Sequence, residues 1–187
     1  MIYFSSDLHF NHDKEFIWKD RGYRSVTEMN DDIIHKWNSV ITNDDTVYLL
    51  GDVMLKDLNA GLECLMKLKG RIHIIRGNHD SDKRVEFYQT CPNIEDIKYA
   101  DMIKDGKYNF YLSHYPTMVA NFDDVKKIWN LSGHTHTTNK FEFFKYQIYN
   151  VGVDAHSGFP VSIEEVKQDI RSIRDEINHF NHHSTKY

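Results

Sequence analysis

The chain has 187 residues, 40% of them hydrophobic and 27% charged, with a formal net charge of −5. That length suits one domain able to bury a core, and the acidic balance argues against gripping a long nucleic acid, which calls for a basic excess. No stretch approaches the roughly 18 apolar residues that span a bilayer and the first residues form no signal peptide, so the expectation is a cytoplasmic protein without a membrane segment.

Residues 2–6 are an apolar, aromatic run and read as a buried strand. Residues 10–26 lack periodicity and read as a long loop. Thr27 then looks like an N-cap, because Met29, Ile33, Ile34, Trp37 and Ile41 recur at helical spacing. Residues 46–50 predict a second buried strand ending at Gly51-Asp52, and residues 58–68 a helix stopped by Gly70. Residues 71–76 predict a third strand, ending at Gly77-Asn78-His79-Asp80, with a short helix up to about Gln89. Beyond Pro92, residues 94–102, 108–113, 128–132 and 146–151 read as shorter strands, with a turn at Asp105-Gly106. Ser162-x-x-Glu165 is a capping box, and the helix it opens carries Ile163, Val166, Ile170, Ile173 and Ile177 as one core-packing stripe. A βαβα half followed by strands predicts one α/β domain with two sheets covered by helices. It spans residues 1–178, leaving a polar tail at 179–187 whose His179, His182 and His183 are solvated.

Five polar clusters each fall where an apolar strand ends: Asp7-Leu8-His9, Gly51-Asp52, Gly77-Asn78-His79-Asp80, His114, and Gly133-His134-Thr135-His136. Ligands bind beyond the carboxyl ends of strands in α/β sheets, so the five can converge on one site. Imidazole and carboxylate together suit Zn, Mn, Fe, Co or Ni, and the lack of ligand cysteines disfavours a structural zinc site. Cys64 and Cys91 match no metal spacing and read as buried free thiols. Asp7 and His9, at i and i+2, would share a strand face, as would His134 and His136 unless a loop sends them to different ions. Asp52 has two oxygens and fits a shared ligand. The glycines before Asp52, Asn78 and His134 permit tight turns. His73 sits mid-strand and reads as structural. Asp80 also suits an N-cap, Asp154 a turn or supporting role, and His12 and His156 are open candidates for touching substrate.

Together these motifs resemble those of the calcineurin-like metallophosphoesterases, in that family's order across residues 7–136. Asp7-Leu8-His9-Phe10-Asn11-His12 and Tyr149-Asn150-Val151-Gly152-Val153-Asp154 are similar to a short bacterial and phage branch. The resemblance implies a four-layer fold, a two-sheet sandwich flanked by helices. It implies one divalent metal on Asp7, His9, Asp52 and His136, and a second on Asp52, Asn78, His114 and His134. His79 would not ligate; it would lie beside the phosphate and protonate the leaving oxygen or stabilise the transition state, with Asp80 orienting its ring. One departure is clear: Gly51-Asp52 runs into Val53-Met54-Leu55-Lys56-Asp57, without the arginine of the family's protein phosphatases.

The function expected is therefore a dinuclear phosphoesterase in which a metal-bridging hydroxide attacks small or nucleotide-like phosphodiesters. A phosphomonoesterase or a nuclease on nucleic-acid ends is the alternative. A catalytically silent scaffold would have no reason to keep the paired ligands together with His79. The segment 10–26 should rim the site, with His12, Arg21 and Arg24 as substrate-binding residues, Lys14 and Lys19 beside them, and Trp18 or Tyr23 available to stack on a base.

Overall fold

Apolar strands alternate with amphipathic helices through the first half of the chain, and that alternation builds a parallel sheet. The computed structural model describes residues 1–119, 128–141 and 147–184, with side chains in the last stretch through 175. In chain order the elements are β1 (Ile2–Ser5), α1 (Glu15–Trp18), α2 (Val26–Val40), β2 (Thr46–Leu49), α3 (Leu58–Met66), β3 (Arg71–Ile75) and α4 (Asp82–Tyr88). They continue as β4 (Ile94–Lys98), β5 (Asp101–Asp105), β6 (Tyr108–Leu112), β7 (Ile128–Ser132), β8 (Ile148–Asn150), β9 (Val161–Ser162) and α5 (Ile163–Ser184).

The first sheet has the order β4-β3-β2-β1-β9, the second β5-β6-β7-β8. Neighbours in the first are parallel except β9, and the second opens on the antiparallel β5–β6 hairpin before turning parallel. Side chains alternate across each strand, so β2 sends Val47 and Leu49 to one core and Tyr48 to the other. The first core packs Met29, Ile33 and Trp37 of α2 and Leu65 of α3 against the first sheet. The second packs Phe4, Leu50 and Ile75 against Phe110, Leu112, Trp129 and Leu131, and is shared by Val166 and Ile170 of α5. These are two mixed sheets flanked by helices, the α/β fold expected.

The differences from expectation are local. The run 94–102 is two strands in different sheets; Lys98 pairs with both Asp96 (2.9 Å) and Asp101 (2.8 Å) at the corner between them. A helical turn, α1, interrupts the expected loop. Ser25, not Thr27, caps α2, its side chain accepting from the Glu28 N–H at 3.1 Å. The capping box of α5 forms as read, Ser162 and Glu165 each accepting from the other's N–H. α5 continues to Ser184, so the tail expected from 179 is helical that far, since nothing there breaks a helix. Tyr146 and the side chain of Ile177 lie outside the described residues. Among the described residues no helix is long and apolar enough to cross a membrane.

Candidate active site

Parallel strands in both sheets bring their carboxyl ends to one edge. Asp7 and His9 follow β1, Asp52 follows β2, Asn78 and His79 follow β3, His114 follows β6, and His134 and His136 follow β7. Asp7, His9, Asp52, His134 and His136 all have φ between 51° and 73°. Non-glycine residues seldom adopt this left-handed conformation, and its strain concentrates at functional sites. Asp7 and His9 therefore do not share a strand face as expected; the chain curls at each of them. Their N–H groups donate to the carbonyls of Gly51 and Asp52, both at 3.0 Å, which locks the two loops together. Gly51 has φ 88°, whereas Gly77 and Gly133 are needed for close approach: a Cβ at either would strike the Asp52 or Asp7 carboxylate.

The donor atoms form two neighbouring groups. His9 Nε2 and His136 Nε2 lie 3.1 Å apart, with Asp7 Oδ1 4.0 and 3.9 Å from them. Asn78 Oδ1 lies 2.9 Å from His114 Nε2 and 3.0 Å from His134 Nδ1. Asp52 Oδ2 stands between the groups, 3.6 Å from both His9 Nε2 and His114 Nε2. Ligand atoms about 2.1 Å from one cation sit about 3 Å apart at right angles and up to about 4 Å apart when more nearly opposed, the range spanned here by the imidazole, amide and carboxylate atoms. The sets Asp7, His9, His136 and Asp7, Asp52, His114 each have the geometry to hold an ion.

Charge balance points the same way. Asp7, Asp52 and Asp80 are buried carboxylates within one small region. Asp7 Oδ1 has no hydrogen-bond partner, while Oδ2 accepts from the His134 N–H at 2.9 Å. A buried, unpartnered carboxylate oxygen is costly unless a cation faces it. Burial, aided by Asp7 and Asp80, pushes the Asp52 carboxyl up despite His114. Burial, then His136 and Arg21, hold His9 far below the usual imidazole range, so its lone pair is free to ligate. The donor set of imidazole, carboxylate and one amide thus fits divalent transition metals.

Residues 1–159 match the model of the calcineurin-like phosphoesterase superfamily domain. The chain belongs to that superfamily. An uncharacterized protein of Methanocaldococcus jannaschii is 34% identical over 188 residues, covering 93% of this chain and 97% of its own. The gene 66 protein of Mycobacterium phage L5 is 28% identical over 204 residues, covering 93% and 96%. A solved Aquifex aeolicus protein of unknown function superposes with a TM-score of 0.68 at 26% identity, over 90% of this chain and 98% of its own. A novel archaeal phosphodiesterase shares the fold at a TM-score of 0.51 and 20% identity, over 81% and 82%.

Around the donor atoms of this calcineurin-like phosphoesterase lies a cavity of about 590 Å³, whose lining includes His12, Lys14, Phe16, Asp52, His79 and His134. His79 presents a side chain that is 41% exposed, with Nε2 3.9 Å from Asp52 Oδ2. Asp80 does not orient that ring. Its carboxylate faces inward and accepts from the N–H of Asp52 (2.9 Å), the N–H of Gly77 (2.8 Å) and the Tyr88 hydroxyl (2.7 Å). Nor does it cap α4, whose N-cap is Ser81. With its carboxylate taken up by backbone N–H groups and the Tyr88 hydroxyl, Asp80 shapes the loop that carries Asp52 and makes no hydrogen bond to the His79 ring.

Of the two arginines expected to touch substrate, one lies off the cavity and the other on its wall. Arg24 points away from the cavity and pairs with Glu28 at 3.0 Å on the surface. Arg21 reaches the cavity wall, but its fork is engaged by Asp154 and by the carbonyls of Asp7 and Leu8. Asp154 in turn accepts from His136 Nδ1 at 2.9 Å, which raises His136 against the effect of its burial and fixes the ring for ligation through Nε2. His156 turns inward to the Asn150 carbonyl, and His73 pairs with Asp96 off the site. Trp18 and Tyr23 pack on the first core. The aromatic residue at the cavity is Phe16, which the sequence reading missed. In the short α1 turn Ile17 and Trp18 face the core and Phe16 does not, a choice the sequence does not mark.

Proposed function

We propose that this phosphoesterase is a dinuclear metal enzyme hydrolysing small or nucleotide-like phosphodiesters. The observation that carries the reading is the Asp52 carboxylate, placed between the two groups of donor atoms. Asp7, His9, Asp52 and His136 would hold one ion, and Asp52, Asn78, His114 and His134 the other. Divalent Mn, Fe, Zn, Co or Ni there would supply Lewis acidity and a nucleophile at neutral pH. The chain's own share is to orient the ester and deliver a proton from His79, the cavity-facing imidazole beside Asp52.

The preference for diesters rests on cations. A monoester presents a third anionic oxygen, which calls for a fixed guanidinium or ammonium. Among the described cavity residues the cationic side chains are Lys14, which is exposed and held in place by no acidic partner among the described residues, and Arg21, which is already engaged, so neither is a fixed cation free for a third oxygen. Two free cysteines are in keeping with a reducing cytoplasm.

The test is elemental analysis of the purified protein, followed by kcat/KM for bis-p-nitrophenyl phosphate, 2′,3′-cyclic nucleotides and p-nitrophenyl phosphate with Mn²⁺. Two metals per chain and a diester preference are expected. Asp52→Asn should lose metal and activity together, and a chelator should lower the melting temperature because metal stabilises only the folded state. Full activity in metal-free protein overturns the dinuclear reading; a tenfold advantage for the monoester overturns the diester one.

A further inference from the structure

The α1 turn divides its side chains sharply. Ile17 is buried and Trp18 packs on the same core, while Phe16 is 62% exposed. A lone exposed apolar residue is ordinary, but Phe16 lines the same cavity as the metal-binding groups. Its ring meets that of His12 at 84°, with centroids 5.8 Å apart.

A metal ion on His9 would define the hydrogen-bonding polarity of His12. Its Nδ1 lies 3.1 Å from His9 Nδ1. His9 Nε2, which faces His136, must keep its lone pair to ligate. The His9 hydrogen is then on Nδ1 and is donated to His12 Nδ1, as ligating histidines commonly donate their second nitrogen. A His12 ring that accepts at Nδ1 carries its own hydrogen on Nε2. That N–H has no partner among the described residues and belongs to a ring lining the cavity. Lys14 lies on the same wall, exposed and without an acidic partner among the described residues.

We propose that this wall is a nucleoside subsite, in which Phe16 stacks a planar heterocycle, His12 donates through Nε2 to an acceptor on it, and Lys14 neutralises a phosphate oxygen. The proposal rests on the phosphodiesterase reading and names its substrate class. A cavity of about 590 Å³ lies within the range of small-molecule sites and far exceeds what a phosphate alone fills. A flat apolar face, a neutral donor and an ammonium together match a base beside a phosphate better than an alkyl or simple sugar ester. Base stacking on an aromatic ring commonly changes affinity by roughly five- to a hundredfold.

The experiment compares thymidine 5′-p-nitrophenyl phosphate with methyl p-nitrophenyl phosphate, which share a leaving group and differ in the nucleoside. Wild type with Mn²⁺ should favour the nucleoside ester by tenfold or more in kcat/KM, mostly through KM. Phe16→Ala should cut that ratio at least fivefold and Phe16→Tyr should restore it. Calorimetry with thymidine 5′-monophosphate on Mn²⁺-loaded protein gives a second readout, with binding five- to a hundredfold weaker in Phe16→Ala. If wild type cleaves both esters equally, or Phe16→Ala leaves the ratio unmoved, the subsite is wrong and the diesterase reading stands. If wild type cleaves neither, the diesterase reading fails and calorimetry alone decides the subsite: no monophosphate binding, or binding insensitive to Phe16, overturns it.

Discussion

Arg21 and Asp154 form a buried two-point pair, Nε to Oδ1 at 2.8 Å and Nη2 to Oδ2 at 2.9 Å, across 133 residues of sequence. The arginine also donates to the Asp7 carbonyl at 2.8 Å, and the aspartate accepts from His136 Nδ1 at 2.9 Å. One pair thus ties the loop after β1 to the loop after β8 and aims a ligand ring. Lysine cannot reproduce that fork. Arg21→Lys and Asp154→Asn should each weaken metal affinity by roughly 10- to 100-fold and lower the melting temperature. Metal titration and thermal melts check this. Wild-type metal affinity with only a raised KM would give Arg21 the phosphate-holding role expected from sequence.

Asp80 has a separable structural role. Asp80→Asn can keep its one carbonyl oxygen on the N–H groups of Asp52 and Gly77, but its NH2 then faces the Val53 N–H and the Tyr88 hydroxyl, leaving a buried donor unsatisfied. The expected loss is about 1–3 kcal/mol or more, and Tyr88→Phe should lose about 1 kcal/mol by removing one partner. Urea denaturation of metal-free protein measures both. An Asp80→Asn protein of wild-type stability with a depressed kcat would return Asp80 to the acid machinery.

Much of this was legible because strands announce their own ends. Apolar runs stopping at Asp7, Asp52, Asn78, His114 and His134 gave both the sheets and the cluster, since parallel strands share one carboxyl edge. What sequence hid was conformation and partner choice. Nothing in Asp7-Leu8-His9 reveals left-handed backbone at two non-glycine residues. Arg21 and Asp154 are too far apart in the chain for their pairing to be read, so a free arginine looked like a phosphate ligand. Arg24 lost to a nearer competitor, Glu28, one helical turn on. The break between β4 and β5 has no glycine or proline to mark it, and β9 is only two residues long.

Asp45 offers a pH test away from the metals. Its carboxylate accepts from the amino terminus at 2.6 Å and from the N–H and hydroxyl of Thr42 at 2.8 and 2.7 Å. These contacts, the amino terminus first, hold its pKa down to about 2. A depressed carboxyl stabilises the fold above its unfolded value of about 3.9 and loses that effect as pH falls through the folded value. Asp45→Asn should therefore be less stable than wild type at pH 6, and the gap should narrow as pH drops from about 4 toward 2. Urea denaturation in chelator measures it. A gap that stays constant or widens on acidification contradicts the assignment.

His79 decides whether the cavity performs acid catalysis. Its N–H anchors Asp52 Oδ1 at 2.9 Å, so the backbone belongs to the metal loop whatever the ring does. The ring stands edge-on to His9, with centroids 5.6 Å apart, and opens to the cavity outside the two groups of donor atoms. Removing it takes away a proton donor but no ligand. His79→Ala should lower kcat by roughly 10²- to 10⁴-fold while metal content stays at the wild-type level. The loss should be largest for esters with alkoxide leaving groups, which need a proton, and smallest for p-nitrophenyl esters, which leave as stable anions. Rates across such a leaving-group series, with metal analysis of the same samples, provide the check. If the variant arrives without its metals, His79 is a ligand; if every ester slows by the same factor, it binds the phosphate and does not protonate the departing oxygen.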